Sequence, residues 1–219
     1  MKTRGQLMAQ PVAKVARLFL ILCAALLAVS CDKGKPLTIN GYRLNPPKPA
    51  SHFTAGVGQE EITPYAGIPL GGHGIGGRIA RGTWMALYAR AFYFQDTMGR
   101  SVAMVSCDLF AVSAGLRSDV LRRVNQKERL EPAALLLSAT HTHHGPANFA
   151  SSAAYNGFGG PLPDFDSEVF NFLSERIASA IVQAISDAHD HATEEHELAF
   201  TPVTRLALFS ATERSRLSY

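Results

Sequence analysis

Leu135 to Pro146 reads LLLSATHTHHGP, an apolar run that leads into three imidazoles and stops at Gly145-Pro146. On an extended backbone, residues two apart point to the same side. A strand carried through this segment therefore sets the rings of His141 and His143 together and turns Thr142 away. Two adjacent imidazoles at the end of a buried strand can bind a zinc ion, or can pair one metal ligand with one proton carrier. The same spacing also fits a turn whose rings hydrogen-bond to backbone, because H-x-H alone is a weak motif.

Other residues could support such a site. Asp108 ends an apolar segment, where a carboxylate can orient a histidine or cap the helix that follows. Gly72-His73-Gly74-Ile75-Gly76-Gly77 matches G-x-G-x-x-G, yet no strand leads directly into it and no amphipathic helix opens after it. Close backbone approach beside a ligand pocket suits these glycines better than a dinucleotide. His73 is either within reach of a metal or a plain loop residue. His189, His191 and His196 lie at or past a helix C-terminus among Asp190, Glu194 and Glu195, a place that favours solvated cationic side chains.

Several segments, taken in order, resemble the neutral/alkaline (non-lysosomal) ceramidase family. They are Ala55-Gly56-Val57-Gly58 with Ile62-Thr63-Pro64, the glycine-rich Leu70-Gly71-Gly72-His73-Gly74, Leu87-Tyr88-Ala89-Arg90-Ala91-Phe92, and Val105-Ser106-Cys107-Asp108. Leu116-Arg117 and Val120-Leu121 follow in the helix behind, and Ser138-Ala139-Thr140-His141-Thr142-His143 with Gly145-Pro146 completes the series. The resemblance spans about residues 53–219. It implies an α/β fold of mixed α+β layers, an inner sheet covered by helices, forming the N-terminal part of a ceramidase-like catalytic domain. It also implies a zinc-dependent amidohydrolase that cleaves the N-acyl amide bond of ceramide or a related lipid.

By the same resemblance, His141 stands where the family has a zinc ligand, and His143 where a residue serves catalysis and substrate contact. Arg205, in Thr204-Arg205-Leu206, falls where an N-R-S arginine holds the substrate, although the flanking asparagine and serine are absent here. His144 replaces a serine and adds a third imidazole at the mouth. The family's other zinc ligands (a second histidine, a glutamate and a tyrosine) and its reactive serine segment fall past Tyr219. The expectation is an N-terminal fragment of a truncated or split gene product. Such a fragment is inactive alone, since a catalytic zinc needs about three protein ligands, and takes a separately encoded C-terminal half as partner. The alternatives are a non-catalytic lipid-binding surface lipoprotein and another metal-dependent hydrolase. Against the latter, Gly145-Pro146 stand where an H-x-H-x-D-H site needs Asp-His, and several strands precede the histidines, unlike H-x-H on a first barrel strand.

The elements that must position these residues follow from periodicity. Phe53–Ile62, Met85–Gln95 and Ser101–Cys107 read as strands, the last two joined by a turn at Asp96-Thr97-Met98-Gly99. Val112, Leu116, Val120, Leu121 and Val124 recur at helical spacing within 110–129. Ala133–Thr140 is apolar on both faces, as in an inner strand covered on two sides. Residues 145–163, rich in Gly and Pro, read as a long loop beside the candidate site. Phe170, Leu173, Ile177, Ile181 and Ile185 mark a second helix over 169–188, with Asp166 as its cap. Leu198–Leu208 reads as a further strand. Interleaved strands and helices point to a layered α/β or mixed α+β domain.

Residues 1–30 read as an export signal of the lipoprotein type. Lys2, Arg4, Lys14 and Arg17 make the basic region, and the apolar run 18–30 is short for a bilayer span. Ala28-Val29-Ser30-Cys31 then resembles a lipobox, making Cys31 the lipidated first mature residue, or else a plain cleavage site stands beside an incidental cysteine. The expectation is an exported, membrane-anchored bacterial lipoprotein, periplasmic or at the cell surface, with residues 31–52 as a Pro- and Lys-rich tether and the folded body over 53–219. A composition of 47% hydrophobic and 18% charged residues marks that body as globular. The formal charge of +3 becomes about −1 once the four basic residues of 1–30 are gone, so electrostatics give no case for nucleic acid. Of three cysteines, only Cys107 lies in the body, which excludes an internal disulfide framework.

Overall fold

The computed structural model describes residues 51–162, 164–192, 196–200 and 206–210, the last two runs as backbone. Strands β1 (Thr54–Glu61), β2 (Tyr88–Gln95), β3 (Ser101–Cys107) and β4 (Leu135–Ala139) form one sheet in the order β1-β2-β3-β4. Helices α1 (Ala114–Val124), α2 (Ala153–Gly159) and α3 (Ser167–Asp190) complete the main body. A separate antiparallel pair, β5 (His196–Phe200) and β6 (Leu206–Ser210), stands where the sequence suggested one strand.

β1, β2 and β3 are antiparallel neighbours, whereas β3 and β4 run parallel. A two-residue hairpin can reverse a chain, but a parallel return needs a crossover. The β2–β3 reversal is held by Asp96, whose Oδ1 accepts the Met98 and Arg100 amides at 3.0 and 2.8 Å. The β3–β4 return is made through α1, giving a β-α-β unit whose parallel strands end together at Cys107 and Ala139.

α3 lies across β1 so closely that side chains are excluded beneath it. A Cβ on Gly56 would sit 2.2 Å from the Ala184 carbonyl oxygen, and one on Gly58 2.1 Å from that of Ala180. α3 also covers the outer margin of the strand. Asp187 Oδ2 accepts the Val57 amide at 2.9 Å, and Gln183 Oε1 accepts that of Gln59 at 3.3 Å. Glu60 joins them by accepting from Arg176 at 3.0 Å and Ser179 at 2.9 Å. Asp166 caps α3 through the Glu168 and Val169 amides, both at 3.0 Å. The periodic apolar stripe of α3 and that of α1 (Leu116, Val120, Val124) are buried with Ala89, Ala91, Ala103 and Val105 of the sheet.

β4 departs from the sequence expectation. Among the described residues it is an edge strand, not an inner one, and Leu136 is 55% exposed. Among the described residues the helices cover one face of the sheet only. On the other face Val57, Phe92, Met104 and Leu136 pair in register across all four strands and remain partly in solvent. The apolar residues on both faces of β4 are thus matched by cover on one face only among the described residues.

Candidate functional site: a histidine pair at the carboxyl ends of parallel strands

In open α/β sheets, ligands collect outside the carboxyl ends of parallel strands. Here β4 ends at Ala139, and the chain extends one residue further, where the Thr140 amide donates to the Cys107 carbonyl at 2.9 Å. His141 then takes φ +63°, a left-handed conformation. The histidine rings thus meet by a turn and not by strand alternation, and they do meet: their centroids are 5.0 Å apart, nearly perpendicular, with Nε2 to Nε2 at 3.4 Å.

Each ring is held from behind. His141 Nδ1 lies 2.7 Å from the Phe110 carbonyl oxygen. A carbonyl can only accept, so the proton is assigned to Nδ1 and Nε2 carries a lone pair. His143 is pressed by the glycine loop: a Cβ on Gly72, whose φ is +84°, would lie 2.7 Å from its ring. His73 Nε2 donates to the His143 carbonyl at 3.0 Å, and its ring stands edge-on at 5.1 Å. Backbone bonds stitch this loop to the residues after the histidines, Gly71 N to Gly145 O at 2.9 Å and Ala147 N to Pro69 O at 2.8 Å. The glycines thus make the close approach expected of them. Phe110 is the hub that sequence reasoning missed. Its carbonyl fixes His141, and its ring lies where a Gly71 Cβ would fall, 2.3 Å away. It also packs edge-on against Phe149 at 5.8 Å.

Asp108 performs neither task expected of it. Its Oδ2 accepts from the Tyr88 amide at 2.9 Å and from Arg90 Nη1 at 3.0 Å, which ties β3 to β2. α1 is capped instead by Ser113, whose Oγ accepts the Leu116 amide at 3.2 Å. The neighbouring Cys107 thiol is pushed up to about 12 by burial, with the Asp108 charge adding to it, so it is a packing group and not a nucleophile. Arg205 and Cys31 lie outside the described residues.

The pair fits a metal in part. Metal-binding histidines direct one ring nitrogen to a carbonyl and the other to the ion, and His141 makes the first of these contacts. Two nitrogens on one tetrahedral zinc, each about 2.0–2.1 Å away, stand about 3.3–3.4 Å apart, which matches the Nε2 spacing. Among the described residues no cluster of three or more His, Cys, Asp or Glu side chains is placed to hold an ion.

Two clefts accompany the fold. One of about 300 Å³ opens beside His144, Gly145 and Pro146. A larger one, about 790 Å³, is at the opposite end of the sheet among Tyr93, Arg100, Lys127 and His189, and it contains none of the site histidines. Among the described residues no helix is long and apolar enough to cross a membrane.

Comparison with known proteins identifies the family. The sequence profile described as neutral/alkaline non-lysosomal ceramidase, N-terminal, matches residues 53–219. The chain belongs to this ceramidase family. It is 33% identical over 147 residues to neutral ceramidase A of Dictyostelium discoideum, covering 64% of this chain and 19% of that protein. It is 29% identical over 136 residues to the neutral ceramidase of Pseudomonas aeruginosa, covering 60% and 20%. A crystal structure of the neutral ceramidase from Pseudomonas aeruginosa superposes with a TM-score of 0.50 at 29% identity, covering 64% of this chain and 22% of that one. A structure described as a ceramidase complexed with C2 gives 0.53 over 62% and 21%. The chain spans about one-fifth of the length of these ceramidases.

Proposed function

We propose that this chain supplies the first part of a zinc-dependent amidohydrolase that cleaves the N-acyl amide bond of ceramide or a related lipid. One observation carries the reading. In a ceramidase-family chain, His141 is fixed on the Phe110 carbonyl with its Nε2 3.4 Å from that of His143, at the carboxyl ends of β3 and β4. His141 would hold the metal. A zinc ion there would supply polarisation of the amide carbonyl and a water whose pKa is lowered toward about 7. Water adds to the carbonyl carbon, the carbon–nitrogen bond breaks, and the departing amine takes a proton. His143 hydrogen-bonds the developing oxyanion and carries that proton. Arg205 holds a substrate oxygen.

One ligand, His141, falls short of the roughly three protein ligands of a catalytic zinc. The remaining ligands would come from outside the described residues. We further read residues 1–30 as a signal sequence and Cys31 as lipidated, which would hold the exported protein at a membrane surface, in the plane of a water-insoluble substrate.

Cobalt(II) titration followed by its visible absorption tests the metal site, and fatty-acid release from ceramide by the full-length protein, with and without a chelator, tests the reaction. His141→Ala is expected to abolish the cobalt spectrum. His143→Ala is expected to lower kcat by about 10²–10⁴-fold, the usual share of a proton-transfer group. Release that survives chelation, or cobalt binding untouched by His141→Ala, refutes the mechanism.

A further inference from the structure

Several sets of large apolar side chains are left in solvent among the described residues, and one stands beside the histidines. Trp84 (96% exposed), Met85 (63%) and Tyr65 (57%) project from the segment between β1 and β2. With Ile79 they rim the cleft that runs up to His144. Contiguous exposed apolar surface of this kind marks a partner or a membrane. Charge distinguishes the two. From Pro64 to Leu87 the only ionised side chains at neutral pH, histidine aside, are Arg78 and Arg81, and both line the same cleft. Neither makes an ion pair among the described residues. The acids whose charge reaches Tyr65, Asp166 and Glu168, belong to the start of α3, where Asp166 is engaged as the cap. Tryptophan and tyrosine beside aliphatic tips and unpaired arginines are the composition of a bilayer interface, where rings sit at headgroup depth and cations meet anionic lipid. Another exposed group, the flat row Val57, Phe92, Met104 and Leu136, is uncharged and lacks that signature.

We propose that the segment 78–85 is a membrane contact built into the folded domain. Trp84, Met85 and Ile79 enter the headgroup region of a bilayer containing anionic phospholipid, and Arg78 and Arg81 meet its phosphates. The cleft at His144 then opens onto the lipid plane. The contact is separate from any anchor at Cys31 and requires neither a metal nor hydrolysis, so it stands or fails apart from the catalytic reading.

Trp84 is the only tryptophan in the chain, which makes its emission a probe of this contact alone. The full chain is mixed with vesicles of phosphatidylcholine, with or without phosphatidylglycerol, and with brominated versions of each. Expected are a blue shift and bromine quenching that are stronger with phosphatidylglycerol. Arg78→Ala and Arg81→Ala should each weaken the phosphatidylglycerol response about fivefold, the effect of one basic residue near an anionic surface. Ile79→Ser with Met85→Ser, shown to be folded by circular dichroism, should reduce the quenching. Unchanged emission overturns the proposal. So does a shift indifferent to both arginines, or one that grows with protein concentration without vesicles and so reports a protein partner.

Discussion

At the scale of single residues, the decisive feature is the backbone at His141. A side chain at φ +63° costs about 1–2 kcal/mol relative to the right-handed region, and such strain persists only where the surroundings impose it. Here the Thr140 and Phe110 contacts do so. His141→Gly relieves the strain and removes the Phe110 hydrogen bond, worth about 1 kcal/mol, and the long, exposed contact to His143. Its unfolding free energy should therefore stay within about 1 kcal/mol of the parent in metal-free buffer, while cobalt binding disappears. A loss well beyond that in urea melts would mean that the ring holds the fold and not an ion. The histidine pair was legible in the order of residues, because T-H-T-H between an apolar strand and Gly-Pro marks a strand end. Its geometry was not, since the sign of φ at a non-glycine residue leaves no trace in sequence. Phe110 was invisible for a different reason: any residue offers a backbone carbonyl, and only the fold selects this one.

Among elements, α3 and β1 depend most on each other. The G-x-G of β1 reads in sequence only as part of a family resemblance, and the structure supplies its cause in the helix backbone lying on the strand. Gly56→Ala forces the two apart. The cost should be at least the 1–3 kcal/mol or so of an overpacked core, read as a lowered urea midpoint. Ser106→Ala, on the other face of the sheet, serves as control. α3 and its Asp166 cap were legible because a long apolar period of 3.6 and a capping residue agree. α2 was not, because Gly157 and Gly159 carry no helical signal. It is positioned instead by long-range contacts, such as the Gly72 amide donating to the Gly159 carbonyl at 2.7 Å. β4 was recognised as a strand but given the wrong place, because burial depends on what other chain lies over a face.

At the scale of the whole molecule, the sheet has one packed face and one bare face among the described residues. The bare row should tolerate polarity. Phe92→Thr together with Leu136→Thr should cost less than about 1 kcal/mol, as exposed positions do, and should reduce binding of a hydrophobic dye. A large destabilisation would mean that other parts of the chain already cover this face. The two borders of the sheet also differ. Along β1 the outward amides of Val57 and Gln59 are occupied by Asp187 and Gln183, which closes that border to strand addition. Along β4 no strand stands outside among the described residues. A sheet sealed on one border can be extended only from the other. Any strand recruited from elsewhere must align with Leu135–Ala139, and whichever direction it runs, one of its ends then lies beside the His141 turn.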